Sequence, residues 1–466
     1  MKRIKIEHIV AWLLLIILGL VVVHAPLAVF VESRWPGVGD GVKAWKEYLL
    51  LIVLVLICVK IKLTKTWGKI LKDKLLWLVA AYALLHGIIA VADTVGILPT
   101  IAGLMIDLRY AAYFVAVYVF LQAYPKYITS FYRVAVVGAV IVLGFALLQQ
   151  VLPRDFLKYV GYSESTIRPY LTVDENPDYV RHSSTLRGPN PLGAYAMMVL
   201  AGVVAYGMAV GHKVKNVKVK YLHLFLLIGA LVALWTSQSR SAWIAEATAV
   251  LVLLIVRYRR AISGKVGPLL VLGAVVLVVG VYAIKDTAFF HNVILHDNPT
   301  TGADVDSNTG HAESLLHGTT KMLDNPLGSG VGSTGSASLY GDSPLIIENQ
   351  YLFTAHEVGW LGLGLFVAIF AVVMVRLWRL RQDWKALAVF ASGLGLAVIG
   401  LLLPVWVDDT VSIIWWGLAA VQLAHAAPLA RLPSGTRSQY VKYSSLRSSG
   451  KRTIGTRVHN LKKGRK

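Results

Sequence analysis

Arg240 stands in Thr236-Ser237-Gln238-Ser239-Arg240-Ser241-Ala242-Trp243, a polar break between two apolar runs. An arginine at the edge of hydrocarbon is costly. If a helix starts here, the guanidinium fork, the free backbone N–H groups and the hydroxyls of Ser239 and Ser241 form an anion site. The same arginine could instead snorkel to the interface. Arg187 opens a second segment, Leu186-Arg187-Gly188-Pro189-Asn190-Pro191-Leu192-Gly193. Its prolines and glycines are ordinary helix-start signals; Arg187, facing the same compartment as Arg240, is what they leave unexplained. Glu348 stands at the mouth of a third, Ile347-Glu348-Asn349-Gln350-Tyr351, where a polar loop runs into an apolar helix that carries Gly359 and Gly362. There it could be reactive, or simply cap the helix.

Further loop residues surround these three. Asn325-Pro326-Leu327-Gly328-Ser329-Gly330-Val331-Gly332 is a glycine-rich turn. Before it, Leu315, Leu316, Thr319, Met322 and Leu323 recur at helical spacing, with Glu313, His317 and Lys321 on another face. This predicts a short amphipathic helix on a membrane surface. His311 falls on the side of Leu315 and Met322, as either a packing or a reactive histidine. Asp107 and Arg109 share one apolar run and can neutralise each other; Glu246 lies in another run. The candidate site excludes these three.

The elements that position these residues are membrane helices. Of 466 residues, 56% are hydrophobic and 15% charged, and the mean hydropathy is +0.62. That composition excludes an ordinary soluble domain. The single cysteine, Cys58, lies in an apolar run and offers neither a disulfide nor a thiolate cluster. Apolar runs fall at 8–31, 45–63, 75–98, 100–122, 130–152, 189–210, 221–236, 239–257, 267–285, 350–376, 386–407 and 411–430. This gives about twelve spans of bilayer length, with 221–236 the shortest. The first run is too long for a signal h-region and reads as an uncleaved span.

Lysine and arginine clusters at 60–74, 213–220, 257–265 and 376–385 fall in alternate loops. They share a side with both termini, so that side is the cytoplasm. The two long loops, 153–188 and 286–349, then face outward. The expected organisation is a membrane domain over 1–430, with a large extracytoplasmic loop at 286–349. A basic tail over 431–466 is expected to be disordered and to lie against anionic lipid. The net charge of +21 reflects this topology rather than nucleic-acid binding. The scattered histidines lack metal-ligand spacing and no Walker-type loop is present, so neither a metal nor another cofactor is expected.

Over residues 187 to 378 these segments resemble the O-antigen ligase/O-antigen polymerase family of membrane glycosyltransferases. The family signature is His, then Asn, Ser or Gln, nine residues, then Gly-x-x-Gly; here Glu348-Asn349 precede Gly359-Trp360-Leu361-Gly362 at that spacing. The ligase-like region spans 186–378. The resemblance implies a GT-C-like fold, all-α and polytopic. It implies a donor glycan on undecaprenyl diphosphate, passed to a lipid, glycan or protein acceptor hydroxyl without metal or nucleotide sugar. Arg240 matches a family arginine that holds diphosphate. His311 stands where a second arginine is found, and Glu348 replaces the histidine that handles the acceptor proton. Arg187, Asn190, Ser239, Ser241, Asn349 and Gly330 would complete the substrate-binding set. A lipid-glycan flippase is the competing reading, but a transporter favours charges through the midplane and symmetric halves. A third, a scaffold subunit of an envelope assembly, fits the basic tail but gives Arg240 and Glu348 no task.

Overall fold

The computed structural model describes residues 5–64, 67–70, 72–92, 95–173, 176–210, 214–261, 282–283, 285–287, 290–295 and 307–426. For 40, 60–64, 67, 69, 259–261, 293 and 307–312 the backbone alone is described. The long helices are α1 (Ile6–Leu20), α2 (His24–Arg34), α3 (Trp45–Thr64), α4 (Lys74–Ala92), α5 (Ile97–Ala123), α6 (Ile128–Leu148), α7 (Pro189–Ala209), α8 (Val217–Ser237) and α9 (Arg240–Ala261). After them come α10 (Ser307–Asp324), α11 (Gln350–Arg379), α12 (Trp384–Ile399) and α13 (Asp409–Ala426).

Among the described residues, eight helical stretches are long and apolar enough to cross a bilayer, counting α1 and α2 as one from Ile6 to Arg34. Eleven of the twelve expected positions hold helices. Three of those fall outside the eight: α3 carries charge in its sequence at both ends, α12 has only 16 residues, and α13 contains Asp409, Gln422 and His425. Apart from 282, 283 and 285, the run at 267–285 lies outside the described residues, as does the tail at 431–466. The described residues fit the all-α expectation, with one small strand pair besides the helices. In the 153–188 loop, β1 (Leu171–Val173) and β2 (Asn176–Arg181) form an antiparallel hairpin.

α5 packs along α13, α7 packs against α8, α9 and α12, and α9 packs against α12. Trp406, Trp415 and Trp416 are fully buried where α5, α11 and α13 meet, with ring centroids 5.0 Å apart for Trp415–Trp416 and 5.2 Å for Trp406–Trp415. Large aromatic groups here bury the most apolar area per ordered side chain.

The two ends of the bundle differ. At one, Asp73 before α4 takes a bidentate pair from Arg376 at the end of α11 (2.6 and 2.8 Å) and a hydrogen bond from Tyr118 near the end of α5 (2.7 Å). Burial pushes the Asp73 carboxyl up, but these hydrogen bonds and the Arg376 charge outweigh it and hold it below the usual range. The clamp sets residues 72–74 beside the 376–385 cationic cluster, as the alternation of charge predicts. The long loops meet at the other end. There Asn176 of β2 donates to Asn292 (3.1 Å), and Arg187 donates to Ser336 (3.3 Å).

Candidate functional site

The site is built where α7, α9 and α11 begin. Gln238, with φ +47°, ends α8 in a left-handed cap, and α9 starts at Arg240. Arg240 Nη1 donates to the carbonyls of Ile294 (3.2 Å) and Leu295 (3.4 Å) in the 286–349 loop. Ser239 and Ser241 are buried, with their hydroxyl oxygens 3.2 Å apart. Their hydroxyls serve the turn first, whatever else they contact.

The segment containing Arg187 packs directly on this turn. A Cβ on Gly193 would lie 2.8 Å from Ala242 Cβ and 2.9 Å from Ser237 Oγ, so the glycine permits the approach of α7 to α9. Asn190 accepts from Arg181 (2.7 Å), whose Nε also donates to the Ser237 carbonyl (3.0 Å). Arg181 thus staples the two segments together, and no motif in the sequence singles it out. Arg187 is exposed and reaches Ser336. Asp408, on the connection before α13, feels the Arg187 charge. Burial and the adjacent Asp409 push its carboxyl up, against the Val411 N–H, Arg109 and Arg187.

At the mouth of α11 the helix cap is Asn349, not Glu348. Asn349 Oδ1 accepts from the N–H groups of Tyr351 (2.9 Å) and Leu352 (3.0 Å), while Nδ2 donates to the Leu401 carbonyl (2.7 Å). Both ends of the Asn349 amide are therefore occupied by structure. Glu348 is held through its backbone, whose N–H donates to Ser314 Oγ of α10 (3.0 Å), and its side chain is half-buried. His356, the next basic group along, sits nearly two turns inside the helix and is buried.

α10 runs against the start of α11. Ser314, Gly318 and Met322, four residues apart, make the contact. A Cβ on Gly318 would lie 3.2 Å from Leu352 and 3.3 Å from Ile347, and Met322 O accepts from Trp360 Nε1 (2.9 Å). Leu316 and Leu323 are exposed. Small residues let the two backbones approach, which a row of leucines would prevent. His311 belongs to α10 by its backbone; its side chain lies outside the described residues.

The glycine-rich turn docks into a break in α11. Val358 (φ −125°, ψ 18°) and Gly359 (φ 70°, ψ −176°) leave helical geometry. In an unbroken helix the His356 carbonyl would accept from Trp360 N–H. Here that carbonyl accepts from Ser329 N–H (2.6 Å), and Trp360 N–H donates to the Pro326 carbonyl (3.0 Å). Contact is so close that a Cβ on Gly328 would meet the Glu357 carbonyl at 2.6 Å, and one on Gly359 would meet Pro326 O at 2.6 Å. Gly330 is a backbone element of this turn, with positive φ and its carbonyl accepting from Ser333 N–H (3.2 Å).

The described contacts therefore join Arg187 to Ser336, just after the glycine-rich turn, Asn190 to Ser237 through Arg181, and Glu348 to α10. Arg240 joins a different part of the same long loop. Residues 224–367 match the family model described as O-antigen ligase. The matched region takes in Arg240, His311, Gly330 and Glu348, and leaves out Arg187 and Asn190. No curated protein matches the chain.

Proposed function

We propose, from the match over residues 224–367, that the chain belongs to the O-antigen ligase/polymerase family. From that premise we propose that it is a membrane glycosyltransferase acting on the outer face of the cytoplasmic membrane. It moves a glycan from an undecaprenyl-diphosphate-linked donor to an acceptor hydroxyl. The observation that carries the reading is that the matched region includes both an arginine at a helix N-terminus and a carboxylate at a helix mouth, Arg240 and Glu348.

Glu348 takes the proton of the acceptor hydroxyl as its oxygen attacks the anomeric carbon of the donor. The bond from that carbon to the diphosphate oxygen breaks, and the electron pair leaves with the lipid diphosphate. Negative charge grows on the diphosphate oxygens in the transition state, where the fixed guanidinium of Arg240, helped by Arg187 or protonated His311, opposes it. Base catalysis needs a carboxylate that can take up a proton near neutral pH. The cap of α11 is Asn349, not Glu348.

Purified protein given a lipid-linked oligosaccharide is expected to release lipid diphosphate and form a new glycosidic bond only when an acceptor hydroxyl is supplied. Movement of the donor between leaflets with no bond formed would favour the flippase instead. The orientation has its own test. With Cys58→Ala as background, Ser336→Cys is expected to label with an impermeant maleimide in intact cells and Ser448→Cys only after lysis. The reverse pattern would overturn it.

A further inference from the structure

Glu357 has no part in the transfer steps above, yet it is buried to 1% exposure inside the break of α11. Its Oε1 accepts from the backbone N–H groups of Gly332 (3.1 Å) and Thr334 (3.4 Å). These are the next residues of the glycine-rich turn that already fills the break. The Glu357 carboxyl and Asp107 of α5 line one small cavity. Among the described residues, neither Glu357 Oε2 nor Asp107 Oδ2 has a hydrogen-bond partner.

Two carboxyl oxygens attract each other only with a proton between them; both ionised, in apolar surroundings, they repel strongly. The other groups lining the same small cavity are Tyr82 and His86 of α4, Tyr110 of α5, Gln350 and Thr354 of α11, and Trp406. None is a fixed cation. His86 Nδ1 meets the Tyr82 carbonyl at 2.9 Å, and a carbonyl can only accept, so Nδ1 carries the hydrogen. That leaves Nε2 facing Asp107 Oδ2 at 3.9 Å. The nearest arginine in sequence, Arg109, is engaged by Glu47 (3.2 Å) and the Val407 carbonyl.

We propose that Asp107 and Glu357 hold one proton between them and so latch the glycine-rich turn onto the broken helix. Glu357 is thereby a positioning residue for the candidate site. The latched segment carries Ser336, the partner of Arg187. The consequence for Arg187 rests on the transfer reaction proposed above; the latch itself does not.

Ser333 offers a reporter, because its hydroxyl is buried and makes no hydrogen bond. In a Cys58→Ala background, Ser333→Cys gives a thiol that is shielded while the turn is latched. Its maleimide labelling is expected to be slow, and to quicken about tenfold or more with Glu357→Ala, in line with the loss of two hydrogen bonds. Glu357→Gln is expected to restore the slow rate, since its amide oxygen accepts from Gly332 and Thr334 while its nitrogen donates to Asp107. Slow labelling in Glu357→Ala would overturn the latch. So would fast labelling in Glu357→Gln, or a Glu357→Gln protein that fails to fold. If Glu357→Ala itself does not fold, Glu357→Gln decides alone. Labelling needs no glycan donor, so a failed transfer assay alongside this labelling pattern would remove the transfer reading and leave the latch standing.

Discussion

Arg240→Ala is expected to lower glycan transfer by about 10²–10³-fold or more, the range for losing one fixed donor to a developing oxyanion, in a protein that still folds. The substitution alone would leave two explanations open. Arg240 also donates to the Ile294 and Leu295 carbonyls, so its loss could act by releasing the loop. Arg240→Lys separates them. A carbonyl needs only one donor, and an ammonium on a flexible stem supplies it, so a loop-pinning role survives in the lysine protein. A diphosphate needs the planar fork, which lysine lacks. Transfer that stays low in Arg240→Lys, with donor omitted and restored as the control, identifies the arginine as a diphosphate ligand. Full activity in either variant would remove Arg240 from the donor site.

The membrane architecture is written in local chemistry and could be read from it. Apolar runs of bilayer length and alternating lysine clusters depend on neighbours in sequence, and helices occupy the expected places wherever residues are described. The polar break before Arg240 was equally visible, because Ser and Gln interrupt an apolar pattern. What escaped was tertiary. α10 meets α11 through Ser314 and Gly318, small residues that allow close approach and that a hydrophobic pattern does not single out. Arg181 staples two segments from a hairpin with no motif of its own. The Asp107–Glu357 pair joins residues on α5 and α11 whose proximity is set by packing across the bundle; Asp107 looked instead like a partner for Arg109. Asn349 is the instructive intermediate case. A polar residue at the loop-to-helix junction signalled a cap, but whether position 348 or 349 performs it depends on one residue of register.

That register shapes the second large expected effect. Glu348→Gln keeps the size and most of the hydrogen bonding of the side chain and removes its basicity. Because Asn349 caps α11, and Glu348 is held through its own backbone by Ser314, the change should leave the helix end and the docking of α10 intact. Loss of a cap would cost about 1 kcal/mol of stability; loss of a general base would cost about 10²–10⁴ in rate. The amide protein is therefore expected to melt with the parent and to transfer within that much lower range. Glu348→His, which places the family residue at this position, is expected to recover part of the lost rate, since an imidazole can also take the acceptor proton. A Glu348→Gln protein keeping more than about a tenth of the parent rate lies outside the catalytic range and would move the base elsewhere. His356 is a poor substitute, being buried against Ser329 within the helix. His311, on the loop helix, would then be the residue to change next.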